Sequence, residues 1–122
     1  MATVELTKDN FDEVMSGDGL VFVDFWAAWC GPCRMFAPIF EKASEQHTDI
    51  VFGKVDTEAE SALQAAAQIT SIPTLMAFRD GIMVFRQPGA LPAPMLDQLI
   101  TAVRDLDMDD IREKVAAQRT AG

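Results

Sequence analysis

Two spacings of apolar residues alternate along the 122-residue chain, and each switch between them marks the edge of a predicted element. Residues 4–6, Val4-Glu5-Leu6, are a short strand candidate. Phe11, Val14 and Met15 then fall at helical spacing, Asn10 and Glu13 stand three apart as in a capping box, and Gly17-Asp18-Gly19 ends the segment. The stretch 20–28 is apolar on both faces, as a central parallel strand requires. Met35, Phe36, Ile39, Phe40 and Ala43 describe an amphipathic helix in which Pro38 predicts a kink. Residues 50–56 are the next strand, so this strand–helix–strand unit is expected to be parallel and right-handed. An Ala-rich helix is predicted over 59–68, and strands 74–79 and 82–86 flank Asp80-Gly81, a strong hairpin signal. A last full helix follows Pro92 and Pro94, with Leu96, Leu99, Ile100 and Val103 on one face. Neither an internal repeat nor a low-complexity segment interrupts this order, and the length fits one domain.

Composition narrows the function classes. Hydrophobic residues make up 49% of the chain and eight are Phe, enough for a real core. The net charge of −9 argues against nucleic acid or an anionic membrane as partner and reads as solubility. The longest apolar run is roughly half a membrane span and is broken by Asp24. The first residues show neither a basic region nor an apolar core of a secretory signal, so a cytoplasmic setting is expected, where thiols are kept reduced.

Against that background the two cysteines stand out, three apart in Trp29-Cys30-Gly31-Pro32-Cys33 and directly after the apolar strand. On a helix, positions three apart have Cβ atoms roughly 5–6 Å apart, and a disulfide needs about 3.5–4.5 Å. A small adjustment would let the thiols bridge. So short a loop removes little entropy from the unfolded chain, which makes it a poor staple. Zinc would want four ligands, and His47 is the sole histidine. A Cys-x-x-Cys pair beside a βαβ pattern favours redox chemistry.

These elements and motifs, over residues 4–106, resemble the thioredoxin family. Val23-Asp24-Phe25-Trp26-Ala27 leading into Trp29-Cys30-Gly31-Pro32-Cys33 is similar to the family's active-site segment. Ile72-Pro73-Thr74 is similar to its cis-proline loop, and Gly89-Ala90 to the third loop of its substrate surface. The resemblance implies an α/β fold with a mixed five-stranded sheet flanked by four helices. It implies reduction of disulfides in client proteins, no bound cofactor, and electrons drawn from NADPH through a flavoprotein thioredoxin reductase. A monomer is expected. The competing readings are a redox-independent binding module on the same fold and a disulfide oxidase or isomerase; the Gly-Pro spacer speaks against the latter.

Within this frame Cys30, at the helix start, is the expected nucleophile, because it is expected to combine exposure with unpaired N–H groups and a helix dipole that favour a thiolate there. Cys33, one turn inward, is the expected resolving thiol. Asp24 is the one acid in the apolar strand; burial would raise its pKa, and the resemblance makes it a proton acceptor for Cys33. Lys54 is a possible partner of Asp24, with an ordinary strand-end lysine as the alternative. Trp29, Gly31, Pro32, Ile72, Pro73, Gly89 and Ala90 are the expected client-contact residues, while Trp26, Phe25 and Phe78 read as core. The chain departs from the family in having no Tyr, a proline-rich third-loop region and an extension over 107–122. There Asp107 is placed to cap a short helix with Met108, Ile111 and Val115 along one face, and residues 116–122 read as a frayed end.

Overall fold

In the computed structural model, which describes residues 2–121, ten elements follow one another. They are β1 (Thr3–Glu5), α1 (Phe11–Met15), β2 (Leu20–Trp26), α2 (Gly31–Gln46), β3 (Val51–Asp56), α3 (Ser61–Ala66), β4 (Thr74–Arg79), β5 (Ile82–Pro88), α4 (Ala93–Arg104) and α5 (Met108–Ala121). The strands form one sheet in the order β1-β3-β2-β4-β5. β1, β3 and β2 run parallel, whereas β4 and β5 join antiparallel, so the sheet is mixed as expected.

β2 is the centre because its side chains are apolar on both sides. Phe22 points into a cluster with Phe36, Phe40, Phe52, Leu96 and Ile100, which seats α2 and α4 on one face. Val21, Val23 and Phe25 point the other way, toward Leu6, Met15, Val55 and Met76, under α1 and α3. The period of two thus divides one strand between two cores. In the first, Phe52 stacks on Phe22 at 5.7 Å and meets the edge of Phe40 at 5.2 Å.

Several boundaries differ from the sequence reading. Asn10 precedes α1 but makes no side-chain cap; its Oδ1 accepts from the Thr7 N–H at 2.7 Å and its Nδ2 donates to the Glu5 carbonyl at 3.1 Å, tying down the turn after β1. β2 stops at Trp26, whose carbonyl accepts from both the N–H and the hydroxyl of Thr57. α3 is shorter than the Ala-rich pattern, since residues 56–60 form a turn and Gln68 has φ +55°. α2 passes through the exposed Pro38 as one 16-residue helix. At the hairpin both Asp80 (φ 54°) and Gly81 (φ 82°) have positive φ, the geometry of a primed turn.

α5 follows α4 after a three-residue turn, with the Asp110 N–H donating to Asp107 Oδ1 at 3.1 Å. Met108 is buried, and Arg112 reaches Asp80 of the hairpin turn at 2.9 Å. Arg79 closes the end of α4 by donating to the carbonyls of Val103, Arg104 and Leu106. The stretch expected to fray instead continues α5 as far as Ala121, and Gly122 lies outside the described residues. Among the described residues no helix is long and apolar enough to cross a membrane.

Candidate active site

β2 delivers the chain to the sheet's C-terminal edge, and α2 starts at Gly31 after four intervening residues. Cys30 is the N-cap of α2, extended at φ −86° and ψ 114°, and its Sγ accepts from the Cys33 N–H at 3.2 Å. Proline is tolerated at the second helical position because its missing N–H would have no intrahelical partner there. Cys30 and Cys33 are joined as a disulfide with their Cα atoms 5.2 Å apart.

The sequence reading expects an exposed Cys30. In the structure Cys30 is 4% exposed and Cys33 2%, so both are covered. The cover comes from the opposite loop: Cys30 Sγ lies 3.7 Å from the Ile72 carbonyl oxygen, and Ile72 and Trp26 pack on Ala27, Cys30 and Cys33. Helix position, rather than exposure, distinguishes the two sulfurs.

The Ile72–Pro73 bond is cis, and Pro73 is buried. Its carbonyl accepts from the Gly89 N–H at 2.8 Å, which draws the third loop to the proline loop. Gly89 sits at φ +103°, a conformation that side chains disfavour, and Ala90 beside it is exposed. Trp29, 67% exposed, and Ile72 flank an open cleft of about 290 Å³ that also includes Thr57, Glu58 and Gln64. Gly31 has open space where a side chain would be, and Pro32 faces solvent. Contacts at the Ile72 and Pro73 carbonyls therefore bring the cysteine, proline and glycine loops together, although 42 residues separate Cys30 from Ile72.

Asp24 is fully buried, and neither carboxylate oxygen has a hydrogen-bond partner. Burial pushes its pKa up from 3.8 to about 7, with the Lys54 charge pulling the other way. Lys54 stands directly opposite Asp24 in the β2–β3 register, and its Nζ sits 4.9 Å from the ring centroid of Trp26.

Two neighbours escaped the sequence reading. Glu58 accepts a hydrogen bond from the Trp29 indole, and no local pattern marks that pairing. Trp26 does more than fill core, and its position two residues beyond Asp24, on the same strand face, was the available signal. Among the described residues no group of three or more His, Cys, Asp or Glu side chains is placed to hold a metal.

The family model for thioredoxin matches residues 2–102. The chain belongs to the thioredoxin family. A relative in Streptomyces coelicolor, provisionally named thioredoxin 2, is 54% identical over 97% of this chain and 88% of its own. Thioredoxin-2 of Saccharomyces cerevisiae is 40% identical over 84% of this chain and all of its own. Among solved structures, a thioredoxin of Malassezia sympodialis superposes with a TM-score of 0.74 at 35% identity, covering 84% of this chain and 91% of that one. With a thioredoxin fold and a Cys-x-x-Cys pair at bonding distance, the protein is a thiol–disulfide oxidoreductase of the protein-disulfide reductase type. The family match ends before α5 begins.

Proposed function

We propose that the protein cycles as a dithiol reductase in which Cys30 attacks and Cys33 resolves. The observation that carries the reading is the N-cap geometry: Cys30 Sγ accepts from the Cys33 N–H at the positive end of α2, where a thiolate is favoured. The Cys30 thiolate attacks a client disulfide, forms a mixed disulfide and expels one client thiolate. Asp24, as carboxylate, takes the proton of Cys33. The Cys33 thiolate then attacks Cys30 Sγ, the second client thiolate leaves, and two electrons have passed to the client as Cys30 and Cys33 bond. Lys54 is the charge partner of Asp24.

Trp29, Pro32, Ile72 and Ala90 form the apolar rim that meets the client, with Gly31 leaving room at the sulfur. The backbone of Ile72 and Pro73, steadied by Gly89, pairs with an extended client segment in strand fashion. No cofactor is bound in the cycle; electrons return from NADPH through a flavoprotein thioredoxin reductase, and the protein works as a cytoplasmic monomer.

The test is NADPH-coupled reduction of insulin disulfides in the presence of thioredoxin reductase. Wild type should turn over, and Cys30→Ser should be inactive and form no adducts. Cys33→Ser should accumulate mixed disulfides through Cys30. Adducts formed by Cys30→Ser through Cys33 would reverse the roles, and activity retained without Cys30 would overturn the cycle.

A further inference from the structure

Beside the buried acid lies a cavity of about 530 Å³, lined by Trp26, Lys54, Glu5, Glu41 and Asp56 among others. Three carboxylates thus share a wall with one ammonium. Lys54 nevertheless takes part in none of the ion pairs among the described residues. Its Nζ sits instead over the face of Trp26, 4.9 Å from the ring centroid. The sheet explains the placement: Phe22, Asp24 and Trp26 share one face of β2, and Lys54 and Asp56 stand opposite Asp24 and Trp26. An aromatic face attracts a cation within about 6 Å, and indole does so best.

We propose that Trp26 is a positioning residue, whose ring holds the Lys54 ammonium beside Asp24 and away from Glu5, Glu41 and Asp56. The inference rests on Asp24 handling the proton in the cycle proposed above. Of the charged or titratable groups on the packed elements, β3 carries Lys54 and Asp56, α2 carries Cys33 and Arg34 near its start and Glu41, Lys42 and Glu45 in its second half, and β1 carries Glu5. On β4 the residue opposite Asp24 is the apolar Leu75. Lys54 is the nearby charge that favours ionised Asp24 against its burial. A lysine free to swing toward Glu41 or Asp56 would be partly neutralised and more distant. Asp24 would then hold its proton to higher pH, and Cys33 would lose its acceptor at neutral pH.

The experiment follows the Asp24 carboxyl resonance by ¹³C NMR in the oxidised full-length protein, where neither cysteine titrates, alongside the pH profile of insulin reduction. The variants are Trp26→Phe, Trp26→Leu, Lys54→Met and the Trp26→Leu/Lys54→Met double variant. Trp26→Leu should raise the Asp24 midpoint by about half a pH unit, roughly a threefold change in its ionisation constant. Trp26→Phe should move it less, and Trp26→Leu should add nothing once Lys54 is Met. An unmoved midpoint in Trp26→Leu, or an equal shift in the Met background, overturns the proposal. In the wild-type protein the Lys54 ε-protons should be shifted upfield by the indole ring current; an unshifted resonance overturns the proposal even if the leucine variants do not fold. A midpoint that moves while the reduction profile stays put supports the clamp and overturns the proton role of Asp24.

Discussion

At the scale of single residues, two features stand apart: the bonded sulfur pair and a buried acid whose oxygens have no hydrogen-bond partner. Asp24 has a native pKa of about 7 against an ordinary 3.8, so the folded protein binds its proton more tightly than the unfolded chain does. The stability linked to that proton is complete below pH 4 and is lost as pH rises to about 7; it amounts to roughly 4 kcal/mol as an upper figure. Asp24→Asn cannot titrate. In the oxidised state, urea unfolding should show the variant gaining on wild type by up to about 4 kcal/mol between pH 4 and pH 8. Its turnover should fall at the same time, because in the proposed cycle Cys33 loses its proton acceptor. A stability difference that stays flat across this range would dismiss the buried-acid account. The sulfur pair itself sits at a helix cap, where the Cys33 N–H of α2 donates to Cys30 Sγ.

At the scale of elements, β2 fixes where everything else lies. It carries side chains into both cores and ends at the point where the chain turns into the disulfide. The α2 side depends on an aromatic chain of contacts from Phe36 through Phe40 and Phe52 to Phe22. Phe40 is fully buried and touches two other rings of that chain. Phe40→Ala should therefore cost about 3–5 kcal/mol in a denaturant melt, through lost transfer energy and a cavity. Because Phe40 lies two helical turns from Cys33, reduction by the still-folded variant at low temperature should remain near wild type. Loss of activity without loss of stability would mean that α2 transmits packing changes to its first turn.

At the scale of the whole molecule, α5 adds a segment on the hairpin side, away from the disulfide. It is held by buried Met108 and by Arg112 on Asp80, whose other oxygen accepts the Gly19 N–H. The contact ties the extension to the β4–β5 turn and the start of β2. Arg112 and Asp80 are partly exposed, so the ion pair itself contributes little. Truncation after Leu106 should lower stability by about 1–2 kcal/mol, chiefly by uncovering what Met108 buries. Insulin reduction should be nearly unchanged. A large fall in turnover by a folded truncated protein would assign α5 to the reductase or client interface.

The sequence by itself determined the order of elements, the central strand, the hairpin turn and the reactive pair. Each is a local pattern: a run apolar on two faces, a residue pair that accepts positive φ, two cysteines on one helical turn. Phe22 and Val23 had to face opposite cores because a strand has a period of two. The capping at Asn10 and the length of α3 were decided elsewhere, since competing partners at Glu5, Thr7 and Asp56 claimed the same polar groups. Only the tertiary structure decided how far Cys30 is covered, that Glu58 meets Trp29, and that Lys54 rests on Trp26 instead of a carboxylate. Those outcomes depend on strand register and on loops brought together across tens of residues, and no local spacing encodes such distances.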